Sequence, residues 1–333
     1  LAFSSDSRWL ISTHGDGAVL VWDLRERALA ARLDQHSGPI RAVAFSPDGR
    51  RVASTGDDHS IIIWNVAGTP RKLETLQGHA TRVNGLAFSP DGTWLVSADQ
   101  MGKALRWNLD PPRRPVLLFA EPSNSPLYNM VVIDGGRSIV TGNLILDSTS
   151  GRPIVAIRSV GHSYTHDYAY SWNAAAHLLV GIGPMPIPCA SLWELDIRQD
   201  PVFDKSTDPN SPGVCVSLAP DARTLVTGND AGNLWLWQTR PLRRLALLGK
   251  HAARVKAVAF SPDGRHVASD GDDCTIRLWD THRRREITQI GTHTTPVLAL
   301  AFSPDGARLV SGEYDHTVRL HTLRRTLWGL ALD

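Results

Sequence analysis

The chain has 333 residues, with 35 Lys and Arg against 33 Asp and Glu, and its formal net charge is +2 at pH 7. This balance creates no global field that would require a nucleic acid or an acidic partner. The three cysteines share no metal-ligand spacing. Their odd number without a disulfide framework favours a reducing compartment, or simply buried thiols, and we expect a cytoplasmic location. The sequence holds no apolar stretch of the length that a membrane-spanning helix needs, because prolines interrupt the richest run, Leu178–Ala190.

The chain opens within a strand pattern. Phe3 takes the place that Phe45 and Phe260 take in later segments, so the first strand begins close to its middle. The opening residues, LAFSSDSRWL, lack the basic region and apolar run of a signal peptide. We therefore expect a fragment of a longer protein, covalently linked to other domains.

One block of sequence recurs along the chain. Over 42–65 it reads AVAFSPDGRRVASTGDDHSIIIWN, and over 257–280 it reads AVAFSPDGRHVASDGDDCTIRLWD. Each copy holds an apolar strand, a Pro-Asp-Gly turn, a second strand, a Gly-Asp-Asp turn and a third strand rich in β-branched and aromatic residues. A period of roughly 40–45 residues, with three visible strands and a fourth implied, is typical of a propeller.

A tryptophan ends the third strand of both quoted blocks. Aligning the repeats on the residue at or after this closing tryptophan gives eight units. We expect one all-β domain over 1–333, a β-propeller of eight four-stranded antiparallel blades, with seven blades as the alternative. The blades within about 116–240 are predicted to be degenerate and less rigid, and the fifth carries an insertion at Gly181–Pro188. Each unit supplies its own fourth strand, ending with Leu327–Leu332, so the ring would close by packing alone. The closing residues are Asp23, Asn65, Asn108, Asp147, Glu194, Gln238, Asp280 and Thr322.

The first strand of each block alternates small and large residues. In the run 257–260, Ala, Val, Ala and Phe follow one another, and alternate side chains point to opposite faces of a sheet. One face therefore presents alanines and the other presents Val258 and Phe260. We expect the large face of one blade to pack on the small face of its neighbour.

Dipeptide motifs at the ends of the blocks resemble those of a known family. Gly78-His79 precedes one block, and Trp22-Asp23 and Trp279-Asp280 close two others. Together with FSPDG, these motifs resemble the WD40 repeat family over nearly the whole chain. The resemblance implies a non-catalytic platform for a protein partner, without a cofactor. The FSPDG style looks like WD40 modules of bacterial signalling proteins, often downstream of an NTPase or kinase domain, which suggests a scaffold or sensor module of a larger regulatory protein.

Histidine, serine and aspartate recur together and imitate a catalytic triad. The resemblance implies instead a buried hydrogen-bond tetrad of His, Ser, Asp and Trp in each regular blade. An enzyme needs one assembled site rather than repeated copies, so we expect no catalytic residues. Unit one has Ser12, Asp16 and Trp22 but is expected to lack its His, which would lie before residue 1. Unit three is expected to lack its Asp because Met101 stands there, and unit eight its Trp, which His321 replaces. The predicted tetrads are His36, Ser54, Asp58 and Trp64, and His251, Ser269, Asp273 and Trp279, with His293, Ser311 and Asp315 in unit eight.

Candidate partner-binding residues follow the family pattern. Residues just after the Gly-His position and just before the tetrad Asp are expected to line one end of the propeller. Their mixture of Arg, Tyr and acidic residues suits a protein interface, although loop residues of any soluble protein are polar. The candidates are Arg41, Arg82, Asn84, Arg254 and Lys256 in the first group, and Asp57, Asp272 and Tyr314 in the second.

Two other functions stay open. Basic clusters in the turns between third and fourth strands could attract nucleic acid or another polyanion, or could simply discourage edge-to-edge association. An enzyme using the central channel would need ionisable groups or a metal near the axis. The loose group His162, His166 and Asp167 is the one metal candidate, but His162 also fits the Gly-His position, and we expect no metal. The basic clusters are Arg25 and Arg27, Arg71-Lys72, Arg113-Arg114, Arg243-Arg244, Arg283–Arg285 and Arg324-Arg325.

Overall fold

The computed structural model describes residues 1–110, 114–120, 127, 130–141, 144–156, 169–173, 178–182, 190–194, 202–203, 213–315, 317–326 and 329–332. Within these residues, 32 strands form eight four-stranded antiparallel sheets, and each sheet pairs four strands that are consecutive in the chain. The predicted blade count is therefore confirmed. We number the sheets blades 1–8. A single 3₁₀ turn at Asp134–Gly136 is the one helical element in the described part.

The chain divides into two compact units, Leu1–Arg158 and Ser159–Asp333. The N-terminal unit holds blades 1–4. Its strands are β1 (Ala2–Phe3), β2 (Trp9–Thr13), β3 (Ala18–Asp23), β4 (Ala28–Asp34), β5 (Ile40–Phe45), β6 (Arg51–Gly56), β7 (Ile61–Asn65), β8 (Arg71–Leu76), β9 (Val83–Phe88), β10 (Trp94–Asp99), β11 (Lys103–Asn108), β12 (Pro115–Ala120), β13 (Met130–Ile133), β14 (Ser138–Thr141), β15 (Leu144–Asp147) and β16 (Pro153–Ala156).

The C-terminal unit holds blades 5–8. Its strands are β17 (Ala169–Asn173), β18 (Leu178–Ile182), β19 (Ala190–Glu194), β20 (Val202–Phe203), β21 (Gly213–Leu218), β22 (Thr224–Asn229), β23 (Asn233–Gln238), β24 (Arg243–Lys250), β25 (Val255–Phe260), β26 (His266–Gly271), β27 (Thr275–Asp280), β28 (Arg285–Thr292), β29 (Val297–Phe302), β30 (Arg308–Glu313), β31 (Val318–Thr326) and β32 (Gly329–Leu332).

The third strand of each blade stops where the repeat alignment predicts. Seven of these strands end at the predicted closing residue, and only β31 continues past Thr322 to Thr326. The last blade also has its own fourth strand, β32, although residues 327 and 328 of the predicted strand lie outside the described part. Most of the insertion at Gly181–Pro188 also lies outside it. The single domain, the degenerate middle blades and the closure of the ring stay predictions.

In blades 1, 2, 3, 7 and 8, a serine-to-aspartate hydrogen bond stabilises the turn after the inner strand. In blade 2, Ser46 donates to Asp48 at 2.5 Å, and Asp48 accepts the backbone N–H of Arg50 at 3.0 Å. Gly49 follows with φ of 67°, a left-handed conformation that costs glycine little. The Ser-Pro-Asp-Gly sequence therefore closes this hairpin by local chemistry alone.

Neighbouring blades pack large face against small face, as the alternation predicts. Leu86 and Phe88 of blade 3 lie in one buried cluster against Ala42 and Ala44 of blade 2. In the C-terminal unit, Phe260 of blade 7 packs in the same way into a cluster with residues of blade 6. Within each unit, the large side chains of an inner strand thus face the preceding blade.

The closing tryptophans add a second contact between blades. Trp107 and Trp279 are each 1% exposed. A Cβ added at Gly78, after β8 of blade 2, would meet the Trp107 ring, and one added at Gly249, in β24 of blade 6, would overlap the Trp279 ring. A glycine one residue before the tetrad histidine in blade 3, and two residues before it in blade 7, therefore leaves room for the indole of that blade.

Replacing Gly249 by alanine tests this contact. The new methyl group overlaps Trp279, so we expect Gly249→Ala to lower the free energy of unfolding by about 1–3 kcal/mol through overpacking. Gly291 is the matched control, because blade 8 carries His321 instead of tryptophan and a Cβ there has its nearest neighbour at 3.8 Å. Urea unfolding of both variants gives the comparison, and equal losses would contradict the role assigned to the indole.

Candidate functional site

The buried tetrad of blade 2 is a continuous hydrogen-bond chain. His36 Nδ1 lies 2.7 Å from Asp58 Oδ2, and His36 Nε2 lies 2.8 Å from Ser54 Oγ. Trp64 Nε1 donates to the same Ser54 oxygen at 2.7 Å. The side chain of His36 is 0% exposed. The four predicted residues thus come together around one imidazole ring.

Blade 7 repeats this geometry in the C-terminal unit. His251 lies 3.0 Å from Asp273 and 2.7 Å from Ser269, and Trp279 donates to Ser269 at 2.7 Å. Burial lowers the pKa of His251, and the neighbouring Asp273 only partly offsets this effect. The ring is therefore neutral at pH 7, with its Nδ1–H directed at the carboxylate.

Burial excludes the serine as a nucleophile, although its hydroxyl is directed at the imidazole as in a catalytic triad. Because Trp64 can only donate, the hydroxyl proton of Ser54 is directed to Nε2 of His36. Ser54 is 0% exposed, so no substrate reaches it. Burial raises the pKa of Asp58, but hydrogen bonds from His36 and Ser60 outweigh it and hold that pKa below its usual value. The tetrad orients a ring and ties strands together.

Blade 3 has a complete tetrad, and the expectation that it lacks an acid is wrong. Asp99, two residues before Met101, lies 2.8 Å from His79 Nδ1. His79 Nε2 lies 2.6 Å from Ser97 Oγ, and Trp107 donates to Ser97 at 2.8 Å. The acid has moved from the hairpin to the end of β10.

Blade 8 shows the same displacement, which corrects the expectation for Asp315. Glu313, at the end of β30, lies 2.7 Å from His293 Nδ1. Asp315 instead accepts hydrogen bonds from the backbone and hydroxyl of Thr317, at 3.0 and 2.7 Å. The tetrad serine, Ser311, has an imidazole for its neighbour in place of an indole.

Blade 1 fills the same position with a histidine. His14 Nε2 lies 3.2 Å from Ser12 Oγ, so the blade that was expected to lack its His has one from the strand end. Trp22 donates to Ser12 at 2.9 Å, while Asp16 pairs with Arg32 at 2.8 Å. Blade 1 therefore has the His, Ser and Trp of a tetrad. The predicted acid, Asp16, takes no part in this hydrogen-bond network, because it pairs with Arg32 instead.

One sequence position indicates whether the partner of the tetrad comes from the hairpin or from the end of the second strand. The position two residues after the tetrad serine is glycine in the blades whose acid lies in the hairpin, namely Gly56 and Gly271. A Cβ at Gly271 would come within 3.2 Å of both His251 and Asp273, so a side chain there reaches the same ring. An ionisable residue at this position, such as Asp99, indicates that the strand end supplies the partner.

Moving the acid in blade 3 tests this exchange. We expect Asp99→Gly to lower the free energy of unfolding by about 1–3 kcal/mol at pH 7, because His79 loses its partner in a buried site. The double variant Asp99→Gly/Met101→Asp copies blade 2 and should recover most of the loss. Because hydrogen bonds hold the pKa of Asp99 below its usual value despite burial, this stability is present near neutral pH and is lost as the pH falls through that pKa. Urea unfolding at pH 7 and pH 3 gives the measurement, and a double variant no more stable than Asp99→Gly would contradict the exchange.

The candidate binding residues of the N-terminal unit form an ion-pair cluster. Arg41 in β5 donates to Asp57 through Nε at 2.7 Å and Nη2 at 2.6 Å. The Arg41 hydrogen bond lowers the pKa of Asp57, and the charge of Arg82 adds to the effect. Asn84 donates to the carbonyl of Leu127 at 3.4 Å. We call Arg41, Asp57, Arg82 and Asn84 the N-terminal surface cluster.

The candidates of the C-terminal unit pair in the same way. Lys256 in β25 lies 2.8 Å from Asp272, and Arg254 lies 2.9 Å from Asp230 of blade 6. Tyr314 is 69% exposed. Ion pairs therefore link the two predicted groups in blades 2 and 7, as Arg41–Asp57 and Lys256–Asp272. The structure adds Asp230, which sequence reasoning missed because alanine occupies the tetrad-acid position of blade 6. We call Arg254, Lys256, Asp272 and Tyr314 the C-terminal surface cluster.

Contrary to the prediction, the basic clusters do not all lie in turns: Arg71-Lys72 open β8, Arg243-Arg244 open β24, Arg285 opens β28 and Arg324-Arg325 lie in β31. The described side chains of Arg25, Arg27, Arg71, Lys72, Arg114, Arg243, Arg244 and Arg283–Arg285 are exposed. Some have partners in their own blade: Arg244 stacks 4.3 Å from the Trp235 ring, and Arg283 pairs with Asp280 at 3.3 Å. The side chains of Arg113, Arg324 and Arg325 lie outside the described part. The described basic residues thus remain available to an anion, although part of their charge is already neutralised.

Metal binding and membrane crossing receive no support in the described part of the chain. No group of three or more His, Cys, Asp and Glu side chains there is arranged to hold a metal ion. The candidates His162, His166 and Asp167 lie outside the described residues. No helix among the described residues has the length and apolarity to span a bilayer.

Comparison with known proteins identifies the family. The family model "WD domain, G-beta repeat" matches residues 1–23, 28–65, 70–103, 242–280 and 284–322, just over half of the chain. The chain belongs to the WD40 family. WD40 repeats generally mediate protein–protein interactions, and propellers of this family are typically non-catalytic.

Two similar proteins extend the comparison. This WD40 chain is 35% identical over 68 residues to the WD repeat-containing protein dyf-2 of Caenorhabditis elegans, a match that covers 20% of the chain and 5% of that protein. It also resembles the crystal structure of the computationally designed Ika8 protein, with a TM-score of 0.77, 23% identity and coverage of 96% and 94% of the two chains. The second likeness concerns the fold alone.

Proposed function

We propose that this WD40 chain is a non-catalytic platform that binds a protein partner through its surface clusters. The single observation that supports this function is the repeated ion pair beside a buried tetrad, seen as Arg41–Asp57 in blade 2 and Lys256–Asp272 in blade 7. Each pair lies where the inner strand starts and the second strand ends. The tetrad acid follows one residue later, so the buried chain of hydrogen bonds holds the surface residue in place.

Charge and exposure favour a protein with acidic and aromatic or apolar contact residues. The side chains of Arg41 and Arg254 are 41% and 44% exposed, and both are held by carboxylates. Arginine fixed by an ion pair loses little side-chain entropy on binding, and Arg and Tyr are enriched at interface hot spots. Tyr314 offers the exposed aromatic ring in the C-terminal surface cluster.

The wider context is part of the proposal. The FSPDG style suggests a cytoplasmic scaffold or sensor module within a larger bacterial regulatory protein, linked covalently to other domains. The buried, fully bonded serines of blades 2 and 7 support a non-catalytic function, because neither hydroxyl is open to a substrate.

Point variants of the two surface clusters test this function. We expect Arg82→Glu and Arg254→Glu each to reduce partner recovery by about tenfold or more in quantitative affinity purification from the source cells, as loss of a hot-spot residue does. Arg285→Glu, at the exposed start of β28, is the matched charge-reversal control and should retain the partners. Thermal unfolding of each variant excludes misfolding. Identical partners for all three variants would show that the chosen surfaces do not bind.

A second function is favoured by the exposed arginines of Arg283–Arg285 and Arg243-Arg244 in the C-terminal unit. These residues would bind nucleic acid or another polyanion. Such binding depends on counterion release and weakens steeply with salt. Saturable binding of RNA that persists at about 200 mM salt and is lost in Arg284→Glu supports this second function, whereas binding that disappears at that salt shows only nonspecific attraction.

A further inference from the structure

Blade 8 is closed by an imidazole where blades 3 and 7 have an indole. The ring centroids of His293 and His321 lie 6.1 Å apart. The corresponding distance is 6.2 Å for His79 and Trp107, and 6.3 Å for His251 and Trp279 in blade 7. His321 therefore takes the place of the tryptophan beside the tetrad histidine.

The smaller ring does not fill the space against the preceding blade. In blade 6, the position of Gly249 is directly against the Trp279 ring. Gly291 is the corresponding residue of blade 7, and a Cβ there would have, among the described residues, only His293 Nε2 within 4 Å, at 3.8 Å. The seam between blades 7 and 8, which we define by Gly291, His293 and His321, thus lacks the aromatic contact of its neighbour.

The hydrogen bonds of this seam are also incomplete. In blade 7, His251 Nε2 accepts from Ser269 at 2.7 Å. In blade 8, His293 Nε2 is buried and has no hydrogen-bond partner among the described residues, while Ser311 lies 3.4 Å from His321. Because His293 Nδ1 faces the Glu313 carboxylate, the unpartnered Nε2 carries a lone pair that can accept a proton.

The charges around the seam oppose a proton on His321. Glu313 Oε1 is the nearest anion, and it already accepts Arg319 Nε at 2.7 Å. The titratable or charged groups that act on His321 are Arg319 on its own strand β31, Glu313 on β30 and His293 ahead of β29, and Gly291 on β28 adds none. A charged His321 would therefore share the single carboxylate of Glu313 with the Arg319 guanidinium.

We propose that the seam is an acid-labile junction, at which protonation of His321 releases blade 8 while the blades closed by tryptophan stay folded. The neutral His321 ring is half-buried beside His293. A protonated His321 is stable only when water reaches it, which requires the seam to open. The device adds a pH response to the last blade and does not depend on the proposed partner-binding function.

The direction of the pH dependence follows from His321. Burial lowers its pKa to about 4, with the charges of His293 and Arg319 acting in the same direction, from an ordinary value of 6.5. A histidine whose pKa is lowered by folding stabilises the folded state at pH values above its pKa in the unfolded chain. This stability is lost as the pH falls from about 6.5 to about 4. For a fully buried His321, the equilibrium constant for opening would rise about 30-fold between pH 7.5 and pH 5. Because His321 is partly exposed, the expected rise is about tenfold.

Hydrogen–deuterium exchange of the full chain at pH 7.5 and pH 5, corrected for intrinsic rates, tests the junction. We expect β30 and β31 of the wild type to open about tenfold more at pH 5, while β26 and β27 of blade 7 change little. His321→Trp should remove the acid effect in blade 8. Trp279→His places the same pair in blade 7 and should create an acid effect in β26 and β27.

The outcomes separate the junction from general acid unfolding. Equal acid sensitivity of blades 7 and 8 in the wild type, or an unchanged effect in His321→Trp, would overturn the proposal. If the indole does not fit and His321→Trp fails to fold, His321→Phe provides a non-titrating ring for the same comparison. An NMR titration of the wild-type His321 side chain that gives an ordinary midpoint near 6.5 would also overturn it.

Discussion

The fold depends on one repeated contact, in which the large face of an inner strand packs against the preceding blade. Phe88 lies against the alanines of blade 2, and Phe260 lies in the cluster shared with blade 6. Both faces of such a blade are buried, so each sheet requires a neighbour on each side. A single four-stranded blade cannot bury both faces by itself, and stability therefore belongs to stacked blades rather than to separate sheets.

The tetrads turn this packing into a precise geometry. A tetrad ties the segment before the inner strand, through a histidine, to the second and third strands of the same blade. Its tryptophan then contacts the glycine of the preceding blade, as Trp279 contacts Gly249. Buried polar chains of this kind are rigid only when every member has its partner. Blades 2, 3 and 7 satisfy this condition, whereas blade 8 leaves Nε2 of His293 and one oxygen of Glu313 without a partner in the described part.

Much of the fold could be predicted from sequence because its signals are local. Alternation in the inner strands, turn residues such as those at 46–49, and the closing tryptophans each fix one element, and the period fixes their number. The tetrad acids could not all be predicted, because motif position and spatial position differ. Asp99 and Glu313 lie at a strand end, yet they reach the same imidazole that Asp58 and Asp273 reach from the hairpin.

The surface clusters were predicted as positions but not as pairs. Side chains at the end of a blade meet through the register of two strands, as Arg41 and Asp57 do, and a sequence shows this register only approximately. The cross-blade pair of Arg254 with Asp230 depends on how blades 6 and 7 pack, which lies beyond any local pattern. A partner-binding surface of this kind is a consequence of the stacking that builds the core.

The stacking contact itself is tested most directly by truncating Phe260 and measuring unfolding in urea. Phe260 is 9% exposed, whereas Leu247, on an outer strand, is 45% exposed. The account predicts that Phe260→Ala lowers the free energy of unfolding by about 3–5 kcal/mol and that Leu247→Ala lowers it by less than about 1 kcal/mol. Similar small losses for both variants would contradict the claim that the inner-strand face joins the blades.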